Sequence, residues 1–150
     1  MTSSERTLLL WLARGRKVIE CGSLIGNSTV PVAQVASKVV SIDKHEGYGP
    51  PTLKRFLTNI DAVAHKVDVK VGDVAYFLPG IDADVCLIDL LGTYELTKWC
   101  LEHLHPSLTF VAVHDCHRPH CGGVDAAIEA SRAVWEPFGQ ADTLTMLRRI

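Results

Sequence analysis

The chain has 150 residues, 47% of them hydrophobic and 21% charged, with a formal net charge of -2 and a pI near 6.4. That length fits one domain, residues 1–150, with a well-buried core, and the composition excludes a disordered or fibrous chain. The small negative charge argues against nucleic acid and against an anionic membrane surface as partners.

No apolar stretch is long enough to cross a bilayer. The run Leu8 to Leu12 follows Glu5 and Arg6 and lacks a small-residue cleavage site, so it does not read as a secretory leader. The five cysteines are odd in number, and three of them sit in apolar or helical contexts. A disulfide framework is therefore not expected, and a reducing, cytoplasmic compartment is.

Thr2 and Glu5 have capping-box spacing ahead of an apolar run, which predicts a helix over 4–14 stopped at Gly15. Lys17 to Cys21 reads as a strand. Ser28 to Lys38 reads as a helix burying Val30, Ala33, Val35 and Ala36, with Pro31 tolerated in its first turn. A strand over Val39 to Asp43 and a loop over Gly47 to Pro51 follow. Thr52 to Ala64 is a predicted helix and Lys66 to Val71 a third strand. A short connection runs from Gly72 to Pro79-Gly80. Ala83 to Leu90 is apolar and of strand length, as in a parallel strand buried on both faces. Tyr94 to His105 is a helix ended by Pro106, Leu108 to Val113 a strand, Val124 to Val134 a helix and Thr143 to Ile150 a last strand. Alternating strands and helices predict an α/β fold: a Rossmann-like, doubly wound, mostly parallel sheet in a three-layer α/β/α sandwich. Ligands of such sheets bind beyond the carboxyl ends of the strands.

The residues at those ends are polar and specific. Strand one runs into Glu20-Cys21-Gly22-Ser23-Leu24-Ile25-Gly26-Asn27-Ser28. The dinucleotide fingerprint fails here, because Glu20 and Ile25 fall on its outer glycine positions. A pyrophosphate wants helix-end amides and no carboxylate, whereas Glu20 suits an ammonium or sulfonium group. The alternative is a tight β–α turn and nothing more. Asp43, about twenty residues on, can accept hydrogen bonds from two ribose hydroxyls or can cap a surface turn. Asp73 can meet an adenine amine or serve as a turn residue. Asp89 and Asp115 end adjacent strands and can hold a divalent cation or share acid–base work, and Asp89 can also cap the next helix.

The run His114-Asp115-Cys116-His117-Arg118-Pro119-His120-Cys121 invites a zinc reading, but its spacings match no common structural zinc pattern. It reads better as an active-site loop with His114 or His117 as a base. His45, His65, His103 and His105 read as surface residues. Trp11, Trp99 and Trp135 read as packing residues.

These residues resemble the class I S-adenosylmethionine-dependent methyltransferases, in the compact branch related to sugar and macrolide O-methyltransferases and cephalosporin hydroxylase-like proteins. Val18 to about Glu129 carries the likeness. Glu20 to Ser28 resembles the first motif of that family. Asp43 falls at its ribose acid and Gly72-Asp73 at its adenine side. Asp89 to Glu95 is similar to its D-G-x-H-x-Y-E segment, Val113 to Asp115 to its next acidic segment, and Gly122 to Ala127 to the helix that follows. Leu90 departs from a usual Gly, and Gly92 or Thr93 from a usual His.

The resemblance implies methyl transfer to a small molecule, with oxygen as the expected acceptor atom. It places Glu20, Gly22, Ser23, Gly26, Asn27, Ser28, Asp43, Lys44, Gly72, Asp73, Val74 and Asp89 around S-adenosylmethionine. Asp89, His114 and Asp115 become the catalytic candidates, and Asp89 and Asp115 the ligands of Mg2+ or another divalent cation. The family closes with an antiparallel hairpin, of which 143–150 supplies one clear strand and 135–139 a stunted partner. Without an added cap, the acceptor pocket is expected to be open or completed by a second subunit in a homodimer. An idle cofactor-binding or interaction module and a nicotinamide-dependent oxidoreductase are the competing readings, and Glu20 speaks against the second.

Overall fold

The computed structural model describes residues 1–46 and 50–150; Gly47, Tyr48 and Gly49, within the predicted loop, lie outside the described residues. Seven strands form the sheet: β1 (Lys17–Cys21), β2 (Lys38–Asp43), β3 (Val67–Val71), β4 (Val85–Ile88), β5 (Phe110–Val113), β6 (Trp135–Ala141) and β7 (Leu144–Arg149). Their order is β3-β2-β1-β4-β5-β7-β6. The strands β1 to β5 pair in parallel, while β7 runs antiparallel to both β5 and β6. The chain leaves β1 toward β2 on one side and returns to β4 on the other, which opens a crevice at the carboxyl ends of β1 and β4.

The period-2 alternation of the strands sorts their side chains onto two cores. Val18, Val85, Leu87 and Ala112 pack with Leu9 and Leu12 of α1 (Ser3–Ala13), Val32 and Ala33 of α2 (Thr29–Val35) and Phe56 and Ile60 of α3 (Leu53–Ile60). Ile19, Cys86, Ile88 and Val111 pack on the other face with Val74 of α4 (Val74–Phe77), Leu101 of α5 (Tyr94–His103) and Val124 and Ile128 of α6 (Gly122–Ala130). All four residues of β4 are buried, because both of its faces are covered.

The structure changes several expectations. The helix α2 ends at Val35, since the Ala36 N–H closes onto Val32 O and Lys38 already pairs with Lys17. Its buried face is Thr29, Val32 and Ala33 with Ala36 beyond, and Val30 and Val35 are only half-buried. The predicted helix over 52–64 tightens after Ile60 into a 3-10 turn over Asp61–Lys66. Thr93, not Asp89, caps α5 by accepting from the Leu96 N–H.

The largest correction is the carboxyl-terminal hairpin. The strand β6 is complete, with seven residues and a register shift between Pro137 and Gly139. Pro and Gly demote a segment as an interior strand, but β6 is an edge, where a missing N–H costs no ladder bond and a bulge is tolerated. Trp135 is fully buried and donates from Nε1 to Leu101 O at 3.2 Å. Trp11 does not pack as expected and is 60% exposed.

Candidate functional site

The turn after β1 is clamped from both sides. The Gly22 N–H donates to Ile42 O of β2, and the Asp89 N–H donates to Cys21 O. Gly22 has φ +90°, and a Cβ there would lie 2.0 Å from the Asp89 carbonyl oxygen. Only glycine fits both constraints. Asp43, at the end of β2, holds the turn open. Its Oδ2 accepts from the N–H groups of Ser23 and Leu24 at 2.8 and 2.7 Å, and its Oδ1 accepts from the His45 N–H at 2.6 Å. A carboxylate offers about four acceptor directions, so one remains for a ligand hydroxyl.

These residues line a cavity of about 610 Å³ at the carboxyl ends of the strands. That is the usual size for a small-molecule site. Gly22, Ser23, Asn27 and Ser28 form one wall, Asp43 and Lys44 a second, Asp73 and Val74 a third, and Asp89 and Asp115 the fourth. Asp73 caps α4 through the Ala75 N–H and pairs with Lys44 Nζ at 2.6 Å. Their hydrogen bond raises the Lys44 pKa and lowers that of Asp73. Ser23 Oγ and His45 Nε2 are buried without a hydrogen-bond partner among the described residues, and both residues line the cavity. Such orphaned polar atoms call for partners from a polar ligand. Glu46 and Thr52 add polar groups to the lining, and the rest of it is apolar and includes Leu24, Leu90, Leu91 and Leu96.

Glu20, Gly26, Gly72 and His114 do not line the cavity. Glu20 lies beneath it, 1% exposed. The Ser28 hydroxyl donates to its Oε1 at 2.5 Å, and the Thr29 hydroxyl donates to its Oε2. Burial pushes the Glu20 carboxyl up to about 7; the two hydroxyls oppose the shift, and the charges of Asp89 and Asp43 add to it.

At the end of β5, His114 ties three carboxylates together. Its Nδ1 lies 3.0 Å from Asp89 Oδ1 and 3.2 Å from Asp115 Oδ1. Its Nε2 lies 3.4 Å from Glu5 Oε2, an ion-pair distance off the line of a hydrogen bond. Burial works against a charged ring, yet Asp89, Asp115 and Glu5 outweigh it and hold His114 above the ordinary histidine value. Glu5 closes the capping box of α1 through the Thr2 N–H and also accepts from the N–H and hydroxyl of Thr143. Burial would raise its pKa, but these bonds and His114 bring it down to about 2. Arg118 Nε lies 3.1 Å from Asp115 Oδ1.

Asp89, His114 and Asp115 present ligand atoms within 4.8 Å of one another, the one such group found among the described residues. Mg2+ is left unsupported here: the His114 ring lies between the two carboxylates, and Arg118 supplies a cation to Asp115. The Cys and His residues that follow do not converge. Cys116 and Cys121 are buried, and His117 bonds Asp125 through its N–H at 2.8 Å and through Nδ1 at 3.1 Å.

Three residues escaped the sequence reading. His45 is buried, its Nδ1 lying 3.1 Å from Leu24 O and 3.0 Å from the Thr52 hydroxyl. Glu5 was visible only as a cap, and Arg118 only as part of a mixed loop. Nothing in local spacing signals these long-range partners.

No protein-family model matches the chain, and no curated protein does. Solved structures do. It is similar to the O-methyltransferase TomG from Streptomyces achromogenes, involved in tomaymycin synthesis and solved in complex with SAM (TM-score 0.73, 19% identity, 99% of this chain and 81% of that one). It is similar to the N-methyltransferase NodS from Bradyrhizobium japonicum (TM-score 0.71, 16% identity, 96% and 93%). It is also similar to an O-methyltransferase family 2 protein from Planctomyces limnophilus in complex with apigenin (TM-score 0.67, 14% identity, 98% and 62%). Strand order and likeness together define the class: the chain has the Rossmann-like fold of the class I S-adenosylmethionine-dependent methyltransferases.

Proposed function

We propose that the chain is an S-adenosylmethionine-dependent methyltransferase that methylates an oxygen of a small molecule. One observation carries this: the cavity at the β1/β4 crevice is walled by Gly22, Asp43, Asp73 and Asp89, four of the motif positions, in an otherwise largely apolar lining. Carboxylates on its walls disfavour a pyrophosphate and favour a cationic nucleoside. The fold neighbours that are O- and N-methyltransferases support the reading.

In this reading Gly22 and Ser23 lie against the amino-acid end of the cofactor, Asp43 accepts from its ribose and Asp73 from its adenine. S-adenosylmethionine, when bound, supplies an electrophilic methyl group on a sulfonium. The chain's part is to orient the acceptor for in-line attack and to take its proton. Asp89 and Asp115 reach the cavity, whereas His114 is buried behind them. The two carboxylates therefore suit proton removal, and His114 holds them in place. Leu24 and Leu91 are 47% and 58% exposed at the cavity rim, which fits an acceptor with an apolar body and a rim shared with a second copy. The neighbour solved with apigenin agrees with such an acceptor. No helix among the described residues is long and apolar enough to cross a membrane; the cysteine usage supports a cytoplasmic setting.

Thermal unfolding tests the cofactor. Mass action requires a ligand of the native state to raise the midpoint. S-adenosylhomocysteine should stabilise the protein and nicotinamide dinucleotides should not; the reverse order would overturn the proposal.

A further inference from the structure

Glu20 lies under the cavity floor with no cation beside it among the described residues. Its partners are the hydroxyls of Ser28 and Thr29 at the start of α2, and Ser28 itself lines the cavity above. The charged groups facing it are Asp43 from β2 and Asp89 from the end of β4, both negative. Lys44 is paired with Asp73, and His114 serves Asp89, Asp115 and Glu5. A carboxyl group that is 1% exposed, beside two carboxylates and with only neutral donors, favours its uncharged form. Hydroxyls can accept as well as donate, so Ser28 and Thr29 satisfy the acid and the carboxylate alike.

We propose that Glu20 keeps its proton in the ligand-free protein and releases it to solvent when a cationic nucleoside enters the cavity, so that the site favours a sulfonium ligand over its neutral thioether. The inference rests on the cofactor reading above. The bond broken is the Glu20 O–H, and the proton passes to the buffer. The ligand's positive charge takes over the balancing of three carboxylates, and both hydroxyls then donate to an ionised Glu20. The gain is electrostatic and specific: a ligand without the sulfonium charge leaves more of the proton in place.

Titration calorimetry of the intact chain decides it. S-adenosylmethionine and S-adenosylhomocysteine are titrated at pH 6 in two buffers of contrasting ionisation enthalpy, with the wild type and Glu20→Gln. The expected result is release of close to one proton per S-adenosylmethionine bound and a smaller release with S-adenosylhomocysteine. The Glu20→Gln protein binds without that release, which separates Glu20 from His114 as its source. Wild-type affinity for S-adenosylmethionine should be roughly fivefold weaker at pH 6 than at pH 7, as expected for a proton held to about pH 7. Wild-type binding with no proton released, or equal release from Glu20→Gln, overturns the inference and leaves the cofactor reading intact. If Glu20→Gln does not fold, the wild-type proton count and the carboxyl carbon-13 shift of Glu20 with and without ligand decide the same question. No binding of either ligand to the folded wild type overturns the cofactor reading, and this inference with it.

Discussion

The Asp89 carbonyl oxygen sits where a side chain on Gly22 would begin, 2.0 Å from the position of a Cβ. This contact joins the turn after β1 to the end of β4, so the floor of the cavity and one of its acidic walls move as one piece. Gly22→Ala should therefore damage the fold as well as ligand binding. The left-handed φ and the clash together predict a loss of roughly 2–4 kcal/mol. Gly15 is the control: its φ is +71° with open space around it, and Gly15→Ala should cost about 1–2 kcal/mol. Denaturant unfolding of the two variants checks the difference.

Glu5 sets the acid limit of stability. Its folded pKa of about 2 lies below the unfolded 4.5, so its contribution is present above pH 4.5 and is lost as the pH falls toward 2. That shift corresponds to roughly 3 kcal/mol. Glu5→Gln should lower stability at pH 6 and flatten the curve between pH 4.5 and 2. Denaturant midpoints across that window measure it.

Glu20 and His114 work in the opposite direction. Glu20 has a folded pKa of about 7, above its unfolded 4.5, so its contribution is full below pH 4.5 and lost as the pH rises through 7. The loss amounts to roughly 3 kcal/mol. The His114 contribution is full below pH 6.5 and fades above its raised value. The ligand-free protein should thus melt higher at pH 6 than at pH 8. Glu20→Gln should shrink that difference, and calorimetric melting at the two values checks it.

His114→Ala should spare cofactor binding and lower turnover, because the residue lies behind Asp89 and Asp115 and off the cavity wall. Leaving three carboxylates without the ring they share should also lower stability, most strongly at low pH where the ring is charged. Cofactor titration beside a methyl-transfer assay separates the two effects. Equal loss of binding would place His114 against the cofactor itself.

Much of this was legible because parallel strands buried on both faces write themselves as apolar runs. Val85 to Ile88 and Val111 to Val113 admit little else, and the acidic residues that follow such runs fall at the crevice by topology alone. What stayed hidden depends on distant partners. The hairpin strand β6 contains Pro137 and Gly139, and only its place at the sheet edge makes them harmless. His45 looks like a loop histidine until Leu24 and Thr52 come to it. The Glu5–His114 contact joins residues more than a hundred positions apart. The metal expectation followed from two acids at adjacent strand ends; in the structure His114 lies between them and Arg118 pairs with Asp115, which leaves an ion there unsupported. Millimolar magnesium should accordingly leave S-adenosylhomocysteine affinity unchanged.

The most direct test of the account is calorimetric titration of the chain with S-adenosylhomocysteine, alongside Asp43→Ala. The wild type should show one micromolar site, and Asp43→Ala should lose it. Absence of binding to the folded wild type at millimolar ligand would contradict the account.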